Sequence, residues 1–598
     1  MKKLNYSIVW FIALAVIAGA LLLFESNLLW KLQEMNLFLT TPMFFRDQMV
    51  VPGGLLSWAG TFLTQLFRWP WLGVLVLCGC WWLLMWLTKR AFRIPAQWAG
   101  LLLIPVGMLL LTIVDFGYCL YVLKQPGYAF VSTLGAVVVA ALLWAYRCLP
   151  AKRYLRTAFI VLTCVVGYPL FGIYGLAAPL LMALWSWRLR EHALVDTLVA
   201  LLCVVAVPLL CYRFVYYQTN LANIYYAALP LYFVTEERHT YYIPFYLLAL
   251  FYVAMIFAPL KPAAKPLRPL LLQAVLLALL VAGVARYWFK DENFHRELAM
   301  QHHIEKLDWE DVLQEAARQQ DEPTRAIVMM KNLALFRLGR QGDEMYHYKT
   351  GAKAHNAPMR VNMTQVVGRA IYYEYGQANY CYRWCLEDGV EFGWRAEYLK
   401  YMTRCALVNG ETEVAKKYIQ LLKHTRFHKE WAEAQEQYAY HPETMKDNEE
   451  YAIVKRLMMQ EDHLGSDNGL AEMYLMNILL DVNSFDPLVQ ELTLLSALWK
   501  KDIGLFWPRF FNYANLHKGE HMPRHYQEAA YLYGHLEHQV DISKMPFDED
   551  VVRNYNDFMA LAQRCQGMTE EQMKSLFYPQ FGKTFYYEYF LIRNQKSN

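Results

Sequence analysis

The feature that most constrains this chain is a succession of apolar runs, each roughly 18–20 residues long, that stops at Trp288. Runs of this kind cover residues 7–24, 71–87, 98–116, 128–146, 194–211, 242–260 and 269–288. A further apolar stretch, 158–187, is broken at Pro169-Leu-Phe-Gly172 and reads as a tight hairpin of two spans. About nine crossings are therefore expected. The first run follows Lys2-Lys3 but lacks a small-x-small cleavage pattern, and many spans follow it, so it reads as an anchor. The whole chain reads as all-α: a polytopic membrane helix bundle over 1–288, then a helical domain over 289–598.

Charge divides at the same place. Residues 1–288 hold 21 Lys+Arg and 8 Asp+Glu, whereas residues 289–598 hold 36 and 45, so the net charge of +4 sums a basic part and an acidic part. A chain built this way is not a nucleic-acid binder, because no basic face is concentrated in a soluble domain. With the amino terminus inside, the inner loops carry fourteen Lys/Arg and the outer loops six. This asymmetry sets the orientation. Nine crossings then put the second half outside, in the periplasm of a bacterial inner-membrane protein.

The first outer loop, residues 25–70, is too polar at its centre to cross a bilayer. It is nonetheless rich in aromatics, including Trp30, Phe38, Phe44, Phe45, Trp58, Phe62, Phe67 and Trp69. Such a segment is expected to lie along the membrane surface. Within it Asp47 stands between Arg46 and the Pro52-Gly53-Gly54 turn. A carboxylate held at the lip of a membrane cavity can act as a base; the plainer alternative is an acid that pairs with Arg46 or caps the next helix. Asp115 closes the third span, and Asp196 begins the seventh where solvent can reach it. A second outer loop, 212–241, carries Arg213, Asn220, Asn223, several tyrosines and then Glu236-Glu237-Arg238-His239. Amides among tyrosines suit sugars, although tyrosines at a bilayer edge also serve as plain anchors.

Beyond Trp288 the pattern turns to amphipathic helix pairs, at 309–339, 396–423 and 492–534, with Ala and Gly at the crossings. These resemble tetratricopeptide repeats in degenerate form, which implies a tetratricopeptide-like α-solenoid that presents a face to a peptide or partner. Cys381, Cys385 and Cys405 read as helix packing or as a disulfide pair. His517-Lys-Gly-Glu-His521 fits the H-x-x-E-H pattern of inverted zinc peptidases. Gly519 and Pro523 assign it instead to an inter-helix turn. Phosphate-binding glycine loops and the nucleophile elbow are absent from the sequence, so no nucleotide cofactor is expected.

An inside amino terminus, a long first outer loop bearing Asp47, many spans and an outer carboxyl-terminal domain together resemble the GT-C class of polyprenyl-phosphate-dependent glycosyltransferases and oligosaccharyltransferases. No W-W-D block and no clear D-x-D pair occurs in the outer loops, so no metal ligands are assigned and a divalent ion stays open. The resemblance implies an enzyme that moves a sugar or glycan from a polyprenyl-phosphate carrier, in contact with membrane lipid, to a protein or glycan acceptor presented by the helical repeats. Asp47 would take the proton of the acceptor hydroxyl. Arg238 and His239, with Arg213 behind them, would neutralise the departing phosphate. Arg46 would keep Asp47 ionised, with Asp115, Glu236 and Glu237 in support. The O-antigen ligase and polymerase group is an alternative within the same chemistry. A membrane-anchored scaffold for envelope partners is the non-enzymatic one, and a transporter is disfavoured by the scarcity of charge inside the spans.

Overall fold

The computed structural model describes residues 6–592 apart from 151, 190–192, 231–238, 258–259, 263–266, 352–358, 360, 459–470, 481, 483 and 566. Every regular element among these residues is helical. The chain divides into two compact units. Unit 1 is Met1–Lys290 joined by Gly389–Leu399 and Ile419–Ala434, and unit 2 is Asp291–Asp388, Lys400–Tyr418 and Gln435–Asn598. The division thus falls close to Trp288, but two stretches of the acidic half belong to the first unit.

Unit 1 begins with α1 (Tyr6–Phe24), followed by three short helices in the first long loop: α2 (Ser26–Glu34), α3 (Pro42–Gln48) and α4 (Gly54–Thr64). Then come α5 (Pro70–Phe92), a 3-10 turn Ala96–Leu102 running into α6 (Leu103–Val114), and α7 (Tyr128–Cys148). The hairpin α8 (Arg153–Phe171) and α9 (Ile173–Leu189), α10 (Ala193–Phe214), α11 (Ile243–Phe257) and α12 (Leu267–Tyr287) complete it. Seven of these helices are long and apolar enough to cross a membrane, while α9 and α11 are apolar but shorter. Their boundaries follow local chemistry. Pro70 opens α5 at a position that needs no amide donor, and Lys89 and Arg90 sit in its last turn, where cations suit the helix dipole. Gly172 lets α8 turn back into α9, with its amide on the Tyr168 carbonyl.

Polar ties identify the two ends of the bundle. At one end the Trp10 indole donates to the Ala99 carbonyl, and Gln273 holds the Gly100 amide at 2.9 Å. At the other, Trp288 donates to Glu25 at 2.5 Å, the Phe289 amide to the Val114 carbonyl, the Gly53 amide to Pro169 and the Ile173 amide to Ala227. The loops after α1, α6, α8 and α10 therefore share one end. Asp196 departs from the solvated reading. It is buried and accepts hydroxyl protons from Thr157 and Ser186, each at 2.6 Å, because α8 and α9 close over it.

Two segments from later in the chain finish this end of unit 1. Along 389–399, the Ala396 amide reaches the Asn36 carbonyl, Lys31 pairs with Glu397 at 2.8 Å in a nearly dry setting, and Arg395 donates to the Tyr121 and Leu123 carbonyls. Along 419–434, the His424 carbonyl accepts from both the amide and the hydroxyl of Thr40, and His428 meets Gln33 at 2.9 Å.

Unit 2 stacks amphipathic helices in sequence, beginning with α13 (Glu292–Glu305), α14 (Trp309–Ala317) and α15 (Arg325–Arg337). Distant pieces also meet. Arg325 and Glu472 form a buried bidentate pair at 2.7 Å, and Gly342 packs against Pro523 and Tyr526. Contacts between sequential neighbours, which alone hold an open repeat stack, therefore do not account for all of its packing. The three residues Cys381, Cys385 and Cys405 are buried thiols, not joined in a disulfide. The His517–His521 segment lies beyond the end of its helix, with His517 on Glu520 and His521 on Asp548, as the turn reading expects.

Candidate functional site

The first loop folds around aromatic contacts. Phe38 lies within 5.3–5.7 Å of Phe44, Trp58 and Phe62, edge-on or tilted, which fixes α3 against α4. Thr41 caps α3 by accepting the Phe44 amide, and Pro42 starts it. Asp47 therefore falls in the last turn of α3, where the helix dipole disfavours an acid, so the position is not explained by helix stability. The chain then reverses through Gly53, at φ 81°, into Gly54. A β-carbon on Gly54 would stand 2.1 Å from the Gln48 carbonyl, so only glycine lets α4 begin this close to the end of α3.

Asp47 lines a cavity of about 510 Å³ within unit 1. Its walls come from α2 and the segment that follows it (Leu32, Asn36), from α3 (Phe44, Gln48), from the loop before α7 (Lys124, Gln125), from Gln218 after α10, and from Phe392–Arg395. The wall is largely apolar and aromatic with a few converging polar groups, the usual make-up of a ligand site. Asp47 is exposed to the cavity and makes no hydrogen bond or ion pair among the described residues; it is also the one carboxylate among the lining residues. Arg46, exposed beside it, does not pair with it, so the bland role of an Arg46 partner is not what the fold uses.

Two cations share the cavity. Lys124 is half-exposed and pairs with Glu391 at 2.6 Å. Arg395 is only 3% exposed, yet forms no ion pair among the described residues. Its Nη2 donates to the Tyr121 carbonyl at 3.0 Å and the Leu123 carbonyl at 3.3 Å, and its guanidinium stands 5.2 Å from the Tyr398 ring and 5.9 Å from Phe392. Asn36, also buried, gives its amide protons to the Thr61 carbonyl and leaves Oδ1 without a donor. The cavity thus combines an accessible base, an uncompensated buried cation and an unused acceptor.

Of the residues read from the sequence, Asp47 lies in the cavity. Arg213 is exposed at the end of α10, its guanidinium 6.0 Å from the Phe214 ring, and is not part of the wall. Asp115 ends α6, half-buried and outside the wall. Glu236, Glu237 and Arg238 lie outside the described residues, and His239 opens a short 3-10 turn with its own side chain likewise outside them. The second outer loop still reaches the cavity, through Gln218. Lys124 and Arg395 were missed as site residues. Lys124 was visible only as a loop cation, and Gly393-Trp394-Arg395 carries no pattern that ties it to a loop over 270 residues earlier. Among the described residues, one group, His303, Asp308 and Asp311 of unit 2, brings three potential metal-ligand atoms within 4.8 Å of one another; none of them lines the cavity.

Seven long apolar helices with a charged cavity at one end define the class: a multi-pass helical membrane protein with a ligand-sized site built on its extramembrane loops. The chain belongs to a family of unknown function (DUF6057), whose model matches residues 2–593. No curated protein and no solved structure matches it.

Proposed function

We propose that this protein is an inner-membrane glycosyltransferase of the GT-C kind, moving a sugar or glycan from a polyprenyl-phosphate carrier to an acceptor at the periplasmic face. The observation that carries the reading is the carboxylate of Asp47, unpaired among the described residues, in a cavity of about 510 Å³ walled by four separate stretches of chain. That volume falls in the range of small-molecule sites, about 300–1,000 Å³, and leaves room for the reacting ends of two substrates. In the reaction, Asp47 accepts the proton of the acceptor hydroxyl as that oxygen bonds to the anomeric carbon. The bond from that carbon to the phosphate oxygen breaks, and the lipid phosphate leaves with the electron pair. Nine crossings, counting α9 and α11, would place the cavity opposite the amino terminus, and the tetratricopeptide-like helices of unit 2 would select the acceptor.

Asp47→Asn tests the assignment, since the amide keeps the shape and cannot take the proton. Glycan transfer by membranes containing the variant should fall by roughly 10²–10⁴-fold, the usual worth of a positioned general base. Protein abundance and insertion should be unchanged. Transfer at the wild-type rate would leave a membrane-anchored helical scaffold as the reading.

A further inference from the structure

Arg395 combines three properties that a structural arginine rarely combines: it is almost wholly buried, it faces a cavity, and no carboxylate compensates it among the described residues. An uncompensated buried charge is expensive in proteins. Its two hydrogen bonds to carbonyls use Nη2 alone, so Nε and Nη1 have no acceptor among the described residues. Those donors point to opposite sides of the guanidinium, and each can give a charge-assisted hydrogen bond to an oxyanion. Lys124, beside the Leu123 carbonyl that Arg395 holds, is tied to Glu391 by a partly exposed pair, and such pairs are worth little and exchange readily. We infer that the Arg395–Lys124 side of the cavity is an anion site for the phosphate head of a single-chain amphiphile. The phosphate carries more than one negative charge and can engage both cations, and the apolar wall at Leu32 and Phe392 receives the first part of the chain. The site takes the place in the proposed reaction that the sequence suggests for Arg238 and His239. That the anion is the glycosyl donor's own phosphate rests on the proposed function; the anion site itself does not.

The test is binding to the full-length protein in phosphatidylcholine nanodiscs, titrated calorimetrically with farnesyl phosphate and, in parallel, with inorganic phosphate, and repeated in phosphatidylglycerol nanodiscs. Farnesyl phosphate should bind to the wild type, and Arg395→Lys, which keeps a cation but loses the free Nη1 donor, should weaken it by about 10–100-fold, the worth of a charged hydrogen bond. Lys124→Gln, at a half-exposed side chain that makes no contact with Arg395's hydrogen bonds, should weaken it by less and keeps the test decisive if Arg395→Lys fails to fold. Equal binding of inorganic phosphate would support the anion site with a free rather than lipid-borne ligand. Competition in phosphatidylglycerol alone would support it with bulk headgroups as the source. No binding of any of the three to the wild type, or binding that neither substitution changes, would overturn the inference. Because Asp47→Asn should still bind farnesyl phosphate, loss of transfer and loss of anion binding remain separate results.

Discussion

Glu305 shows how charge is handled in unit 2 at the scale of one residue. Burial alone would raise its carboxyl, but Lys400 and Arg404 beside it outweigh burial and hold it at about 2. A carboxyl that titrates lower in the folded state than in the unfolded chain contributes stability above its unfolded value of 4.5 and loses it as pH falls toward 2. Acidification across that window should therefore lower the unfolding temperature of the wild type, whereas Glu305→Gln should start about 3 kcal/mol less stable at neutral pH and show a shallower decline. Thermal melts in detergent at a series of pH values would check both, and a parallel decline in the two proteins would refute the assignment. The residues of the cavity were unequally legible. Asp47 could be found because it is a lone acid in an aromatic loop beside a Pro-Gly-Gly turn. Arg395 could not, since its meaning comes from what it lacks among the described residues, an ionic partner, and that is visible only once burial is known. Asp196 was misread for a related reason: the hydroxyls that solvate it come from two other helices.

At the scale of elements, the wall made by 389–399 matters most. It is held to the loops of unit 1 by the Lys31–Glu397 pair, the Ala396–Asn36 backbone bond and the Arg395 contacts, so the cavity is incomplete without chain that lies a hundred residues beyond the last apolar helix. A clean cut at residue 288 was the natural reading of composition, because composition changes there and backbone pairing leaves no mark in sequence. The Lys31 side chain is 2% exposed and Glu397 14%, so removing one charge takes from the other the ion pair that compensates its burial. Lys31→Met alone or Glu397→Leu alone should cost about 3–5 kcal/mol, whereas the double substitution should recover most of the loss, since apolar replacement of a buried pair is often neutral. Thermal unfolding of the four proteins closes the cycle. Additive losses would mean the pair does not hold the segment. Farnesyl phosphate binding should follow stability in this series, weak in each single variant and restored in the double.

For the whole molecule, the decisive question is which side of the membrane the cavity faces. The bonds from Glu25 to Trp288, from Gly53 to Pro169 and from Phe289 to Val114 put the cavity loops together at one end of the bundle. Cys148, at the carboxyl end of α7, belongs to the other and is exposed. Helicity and the long apolar runs were legible because an amide in hydrocarbon must be satisfied within its own helix, which forces an unbroken pattern. Orientation depends instead on a bias of loop cations, fourteen to six, and that bias is a kinetic preference during insertion rather than a packing constraint. The proposed donor chemistry needs the cavity on the side away from the amino terminus. In intact cells, a membrane-impermeant maleimide should then label Gln218→Cys at the cavity rim, and should reach Cys148 only after the inner membrane is opened, with peptide-resolved mass spectrometry separating the two sites. The reverse pattern would turn the cavity toward the cytoplasm. Any transfer reaction there would have to draw its donor from that face, and Asp47 would keep its geometry while losing the periplasmic acceptor.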